Sequence, residues 1–223
     1  MRRVLPFRRR RMIGPFIYAD IMGPERFDPG VGADIDAHPH IGLSTLTYLT
    51  AGSLVHRDST GAVQQIEPGE VNWMTSGSGV CHTERSTPHD RLIDSDLAGL
   101  QTWVALTKDA EASGAFFEHA GENGIPTEHR ERGVINLSGE LAVAGQTLGE
   151  GQLAVLTPDE EVELTGTGRA MLLAGDPVGE RFIWRNFVAS DRELIETAKQ
   201  SWDQQTFPKV PQDHERWMSR PQS

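Results

Sequence analysis

The sequence predicts an all-β protein made of two successive β blocks and closed by one C-terminal helix. Three observations carry that reading. Strand-sized apolar runs recur at short spacing along most of the chain. Glycine and proline, 23 and 13 of the 223 residues, punctuate them. A single amphipathic segment with a 3.6-residue period follows, near the end.

The first block runs from residue 13 to about 120. GLSTLTYL alternates, with Leu43, Thr45, Thr47 and Leu49 on one face and Leu46 and Tyr48 on the other. VNWM, LQTWVAL and AFFEHA follow, separated by turns such as STGA and EPGE. Such spacing predicts an antiparallel sandwich or barrel. The segment GENGIPTEHRERG reads as a linker or exposed crossover. A second block follows, GVINL, ELAVAG, QLAVL, EVEL and RAMLLAG, with room for five or six strands. In SDRELIETAKQSWDQQTF, Ser190 and Glu193 have capping-box spacing, and Leu194, Ala198 and Trp202 stand four apart. This predicts a helix that ends before Pro208, followed by a tail over the surface. The expected division is 1–120, 121–178 and 179–223.

Composition narrows the function. No run approaches the ~18 apolar residues of a membrane span, and the basic start MRRVLPFRRRRMIGPF lacks the apolar stretch and cleavage site of a signal peptide. Cys81 is the single cysteine, so no intrachain disulfide forms and a reducing cytoplasm is expected. The net charge is −11, and six arginines lie within the first dozen residues. An acidic body repels a phosphate backbone, which argues against direct nucleic-acid binding. The arginines read as a surface strand paired with acidic groups, or as a docking signal.

Chemistry concentrates in two pairs. His38 and His40 flank Pro39, and His82 and Glu84 repeat the i, i+2 spacing 42 residues later. Residues two apart on a strand share a face, so two such pairs on neighbouring strands would offer three imidazoles and a carboxylate to one ion. Proline lacks a ladder donor and places the first pair at a strand start or edge. The ligand set suits one divalent first-row metal: imidazole accepts iron, copper, nickel, zinc or manganese, and the carboxylate tilts the choice toward iron or manganese. A cysteine-rich structural zinc site is a different pattern. His56 and His89 are expected at the surface or behind the ligands. Cys81, by alternation, points away from the metal. Trp73 and Met74 read as core or pocket lining.

At these residues the chain resembles a known family. Gly32, His38, His40 and Gly52 reproduce the first motif of the cupins, with Thr45 where a glutamate would stand. The stretches MIGPFIYADIMGPERFDPG, HPHIGLSTLTYLTAGSLVHRDSTG and PGEVNWMTSGSGVCHTERS resemble pirins nearly throughout, and the likeness returns from about residue 126 to FPKVP. The resemblance implies a bicupin of double-stranded β-helix type, with one iron-type site at His38, His40, His82 and Glu84. Fe(II) is then the first metal expected, with Mn, Ni, Cu or Zn as alternatives. The second barrel of the family normally carries no metal, and His129 reads as a linker residue. This chain departs from the family by several tens of residues between AFFEHAGE and PTEHRERG, so its second barrel is expected to be shortened. Strand edges left open in that way would invite a weak dimer; otherwise the chain is a monomer.

Two functions follow from the resemblance. One is a metal-dependent dioxygenase of the quercetin 2,3-dioxygenase type, taking a flavonol and dioxygen, with Glu84 as the catalytic base for the flavonol hydroxyl. The other is a non-enzymatic, metal- and redox-responsive protein that regulates a protein partner. A degenerate cupin without activity is the third reading.

Overall fold

Alternating burial along each strand folds the first block into two facing sheets. The computed structural model describes residues 1–120, 131–157 and 161–220, so His129 lies outside the described residues. The first block has ten strands: β1 (Arg2–Leu5), β2 (Phe16–Phe27), β3 (Asp34–His40), β4 (Leu43–Ala51), β5 (Leu54–Asp58), β6 (Val63–Ile66), β7 (Val71–Thr75), β8 (Val80–Ser86), β9 (Ser95–Ala105) and β10 (Phe116–Ala120). They form a six-stranded sheet, β1-β2-β9-β4-β7-β10, and a four-stranded sheet, β3-β8-β5-β6, antiparallel throughout. Met22 and Leu49 of one sheet meet Leu54 and Ile66 of the other and close one end of the interior.

The outer face of the six-stranded sheet packs on the second block. Val4, Leu5, Ala19, Ile21 and Leu100 form one core with Ile135 and Leu173. That block comprises β11 (Glu131–Val143), β12 (Gln146–Leu148), β13 (Leu153–Leu156) and β14 (Leu164–Gly175). β11 is central, with β14 along one side and β12 and β13 along the other. The described residues thus give one four-stranded sheet rather than five or six strands. GVINL and ELAVAG are a single strand: a bulge between Asn136 and Ser138 lets it continue through Gly139, with the Asn136 amide donating to the Gly139 and Leu148 carbonyls. EVEL is not a strand of its own, since its Leu164 opens β14.

The last segment returns to the first barrel. β15 (Phe182–Trp184) and β16 (Phe187–Ala189) form a hairpin, followed by α1 (Arg192–Asp203). Asp191 caps the helix by accepting from the Glu193 amide. Ser190 is one residue too early to do so, and its hydroxyl and amide instead donate to Glu111. The buried stripe is Ile195, Ala198 and Trp202, whereas Leu194 is 44% exposed. That stripe packs with Phe187, Phe207 and Val210 on Ala37, Ile41 and Cys81. Gly42 makes this docking feasible: a Cβ there would sit 1.9 Å from the Val188 carbonyl oxygen.

The tail is built into the fold. Ala37 donates to the Arg216 carbonyl and accepts from the Met218 amide, extending the β3 edge. Asp213 takes a two-pronged hydrogen bond from Arg85, 2.8 Å on each arm. Among the described residues no helix is long and apolar enough to cross a membrane.

Candidate metal centre

Strand register brings the two sequence pairs together. β3 is an edge strand, as Pro39 requires, and His38 lies directly opposite His82 in the ladder with β8. Between Ile35 and His38 the register shifts by a bulge. Its Asp36 carbonyl accepts from His38 Nδ1 at 2.8 Å, so the irregularity next to the site also aims the imidazole. His40 Nδ1 is held by the Asn186 carbonyl at 3.1 Å, from the β15–β16 turn.

These two carbonyls fix the chemistry of the opposite ring nitrogens. A carbonyl only accepts, so Nδ1 carries the proton in both rings and Nε2 presents its lone pair. The Nε2 atoms of His38 and His40 lie 3.0 and 3.1 Å from His82 Nε2. His82 can donate to one of them at most, so at least one contact sets lone pair against lone pair unless a cation lies between. A spacing of about 3.0 Å is also that of adjacent nitrogens around a six-coordinate ion with bonds of about 2.0–2.1 Å. Burial lowers the pKa of His38 and takes those of His40 and His82 well below the ordinary value, helped by the neighbouring rings. Neutral imidazole is the form that ligates. The residues therefore fit a metal.

Glu84 is inward-facing and 5% exposed. Its carboxylate groups with His82 and His56, and not with His38 and His40. Thr47 Oγ1 donates to it at 3.3 Å and Gln101 Nε2 at 3.5 Å. Burial raises its pKa, against the pull of these donors.

His56, expected either at the surface or behind the candidate ligands, takes the second place beside His82 and Glu84. It is not at the surface: it is 3% exposed, stacks on Phe117 with ring centres 4.6 Å apart, and bonds through Nε2 to Asp58 Oδ2 at 3.1 Å. Burial works to raise the Asp58 pKa, but hydrogen bonds from His56 and Thr60 outweigh it and hold the carboxyl low. His56-x-Asp58 has the same i, i+2 spacing as the ligand pairs, which is the signal that points inward. His89 is exposed. Cys81 faces the helix core on the far side of β8, where burial pushes its thiol up to about 12. Trp73 and Met74 do not line the site; Met74 is core.

The imidazoles open into a cavity of about 540 Å³. One wall is aromatic: Tyr18 stacks on Trp103 with centroids 4.0 Å apart, and Trp103 meets His40 edge-on at 5.5 Å. Arg3 lies over the Tyr18 ring and pairs with buried Asp20, which also accepts from Tyr18 OH at 2.5 Å. The C-terminal hairpin and tail complete the rim through Ile183, Arg185 and Met218.

A two-sheet β barrel with inward histidines at its mouth, backed by a second, reduced sheet, defines a bicupin with one candidate metal centre. Comparison with known proteins agrees. Residues 1–104 match the family model described as Pirin, and residues 117–208 match the Pirin C-terminal cupin domain. A pirin-like protein of Caulobacter vibrioides is 40% identical, with 90% of this chain and 86% of that protein covered. The alignment runs over 253 positions, more than this chain's 223 residues, so that relative carries residues this chain lacks. A crystal structure of quercetin 2,3-dioxygenase from Acinetobacter baumannii superposes with a TM-score of 0.87 at 27% identity, covering 99% of this chain and 89% of that one. A bacterial pirin from Escherichia coli, in complex with nickel(II), shares the fold at a TM-score of 0.62 and 14% identity, over 78% of this chain and 90% of that one. The chain belongs to the pirin family.

Proposed function

We propose that the chain binds one divalent transition metal, Fe(II) in the first instance, through His38, His40, His82 and Glu84, and that the loaded site is a dioxygenase of the quercetin 2,3-dioxygenase type. The observation that carries the reading is the convergence of three neutral imidazoles, with the Nε2 atoms of His38 and His40 each 3.0–3.1 Å from that of His82. When bound, the metal supplies Lewis acidity that lowers the pKa of a substrate hydroxyl and gives dioxygen a place beside it. Glu84 takes the hydroxyl proton on a carboxylate oxygen, its basicity increased by burial. Thr47 and Gln101 orient that carboxylate. The Tyr18–Trp103 wall offers an apolar face to a flat flavonol, and the C-terminal hairpin limits access of water. On this reading 1–120 is the metal-binding unit, 121–178 a reduced cupin unit that supports it, and 179–223 the segment that caps it. The single, buried thiol of Cys81 supports a cytoplasmic setting.

The test is to load the protein with Fe(II), Mn(II), Ni(II), Cu(II) or Zn(II) and to follow oxygen uptake with quercetin. Turnover should require the metal and vanish in a His38→Ala/His82→Ala variant. If no metal supports turnover above that variant, the dioxygenase reading fails. Metal-dependent capture of a protein partner would then favour the regulatory role.

A further inference from the structure

Arg185 occupies an unusual place at the mouth of the metal cavity. Trp184 and Phe187 close the β15–β16 hairpin, leaving Arg185 and Asn186 as a two-residue turn. Arg185 has φ of +51°, and Asn186 is not among the positive-φ residues. Positive φ at the first turn position alone is the pattern of a type II′ turn, where glycine is usual. An arginine in that conformation stores backbone strain. Asn186 does the structural work of the turn, since its carbonyl holds His40.

The Arg185 side chain has no partner among the described residues. It is exposed and lines the cavity. Arg3 shares the rim, but Asp20 neutralises it. In a chain of net charge −11, an uncompensated guanidinium at the rim of a site is a charge without a structural role. The floor of the cavity would carry a dication and one carboxylate, which leaves it cationic as well. Its walls are apolar and aromatic, from Tyr18, Trp103, Ile35 and Ile183.

We propose that Arg185 is a specificity residue that takes the remote anionic group of the ligand, so that the cavity's preferred ligands are aromatic acids. Such a ligand reaches the metal with phenolic oxygens, packs its ring on the apolar walls, and presents a carboxylate to the guanidinium. This rests on the metal-binding part of the reading above and departs from its substrate, placing an aromatic acid ahead of an uncharged flavonol as the ligand of the same cavity.

The test uses the full chain loaded with Fe(III) and titrated with protocatechuate, dihydrocaffeate and the methyl ester of each, following the visible catecholate-to-iron band. At least one acid should bind about tenfold tighter than its ester, the scale of one charge-assisted hydrogen bond. The preference should fall to near parity in Arg185→Gln and survive in part in Arg185→Lys. Arg185→Gly suits the left-handed backbone, so it should lose the preference while its Tm stays level or rises. Equal binding of acids and esters by the wild type, or a preference that persists in Arg185→Gln, overturns the proposal and leaves the metal site standing. Loss of iron and a lower Tm in both the Gly and Gln variants would assign Arg185 to the turn itself and also overturn it. Failure of the wild type to take up iron overturns the metal reading instead.

Discussion

His38 and His82 are direct partners across the β3–β8 ladder, with Nε2 atoms 3.0 Å apart in a buried site. Neutral rings meeting in this way gain little from each other and much from a shared cation. The wild-type chain should therefore take up one equivalent of metal and be stabilised by it. At a free metal concentration of 100 times Kd the gain is about 2.7 kcal/mol, a Tm rise of about 5–10 °C for a chain of this size. The His38→Ala/His82→Ala variant should show neither uptake nor rise. Full metal content in that variant, measured by elemental analysis, would show the ligand set to be wrong.

Thr47 Oγ1 is a donor to buried Glu84. Thr47→Val keeps the shape and removes the donor. The carboxylate then loses part of what opposes its burial, and it is left less well aimed. Metal affinity should fall roughly tenfold or more, the scale of lost outer-shell partners, with metal-free stability changed by about 1 kcal/mol or less. Competition with a chelator measures the first and thermal unfolding the second. An unchanged Kd would mean that Thr47 does not orient a ligand.

The candidate ligands could be picked out in sequence because a strand repeats every two residues: His-x-His and His-x-Glu must each share a face, and Pro39 marks an edge. What escaped depends on tertiary contact. Leu194 and Ile195 are both apolar and adjacent, and only the position of β16 decides which is buried. Gly139 reads as a turn, yet the Asn136 amide and the pairing with β14 carry the strand through it. The tail has no periodicity because it is held by single contacts, Ala37 to Met218 and Arg85 to Asp213, rather than by a repeating face. Asn186 reaches His40 from 146 residues away, and no local pattern encodes that.

Asp213 ties the tail to the outer face of β8, through Arg85 and through Thr83 Oγ1 at 2.8 Å. Arg85 keeps Asp34 and Asp36 as further partners, so Asp213→Ala should unfasten the tail without stranding the cation. Part-exposed pairs of this kind contribute about 1 kcal/mol, worth about 2–4 °C in Tm. The clearer signal is local: trypsin should cut after Arg216 faster, as Met218 leaves the Trp202 indole, whose Nε1 donates to its carbonyl at 2.8 Å. A cutting rate equal to that of the wild type would mean that the tail is held without Asp213.

Burial of neutral histidines also sets a pH dependence. In the metal-free chain the pKa values of His38, His40 and His82 lie below the ordinary 6.5. Well above 6.5 neither the folded nor the unfolded chain protonates these rings, and they give stability no slope. Below it the unfolded chain takes up protons that the folded chain refuses, so stability is lost as pH falls, by up to about 1.4 kcal/mol per ring per pH unit. Glu84 has the opposite sign: its folded pKa is raised above 4.5, so it favours the fold at low pH and loses that contribution as pH rises through the folded value. Three rings outweigh one carboxylate. The Tm of the metal-free protein should therefore fall from about pH 7 to about pH 5, more steeply than in a His38→Leu/His40→Leu variant that lacks two of the rings. Added metal requires the same neutral rings, so its stabilising effect should shrink over the same interval. Thermal unfolding of both proteins across the interval decides the matter, and parallel slopes would show that the cluster does not govern acid sensitivity.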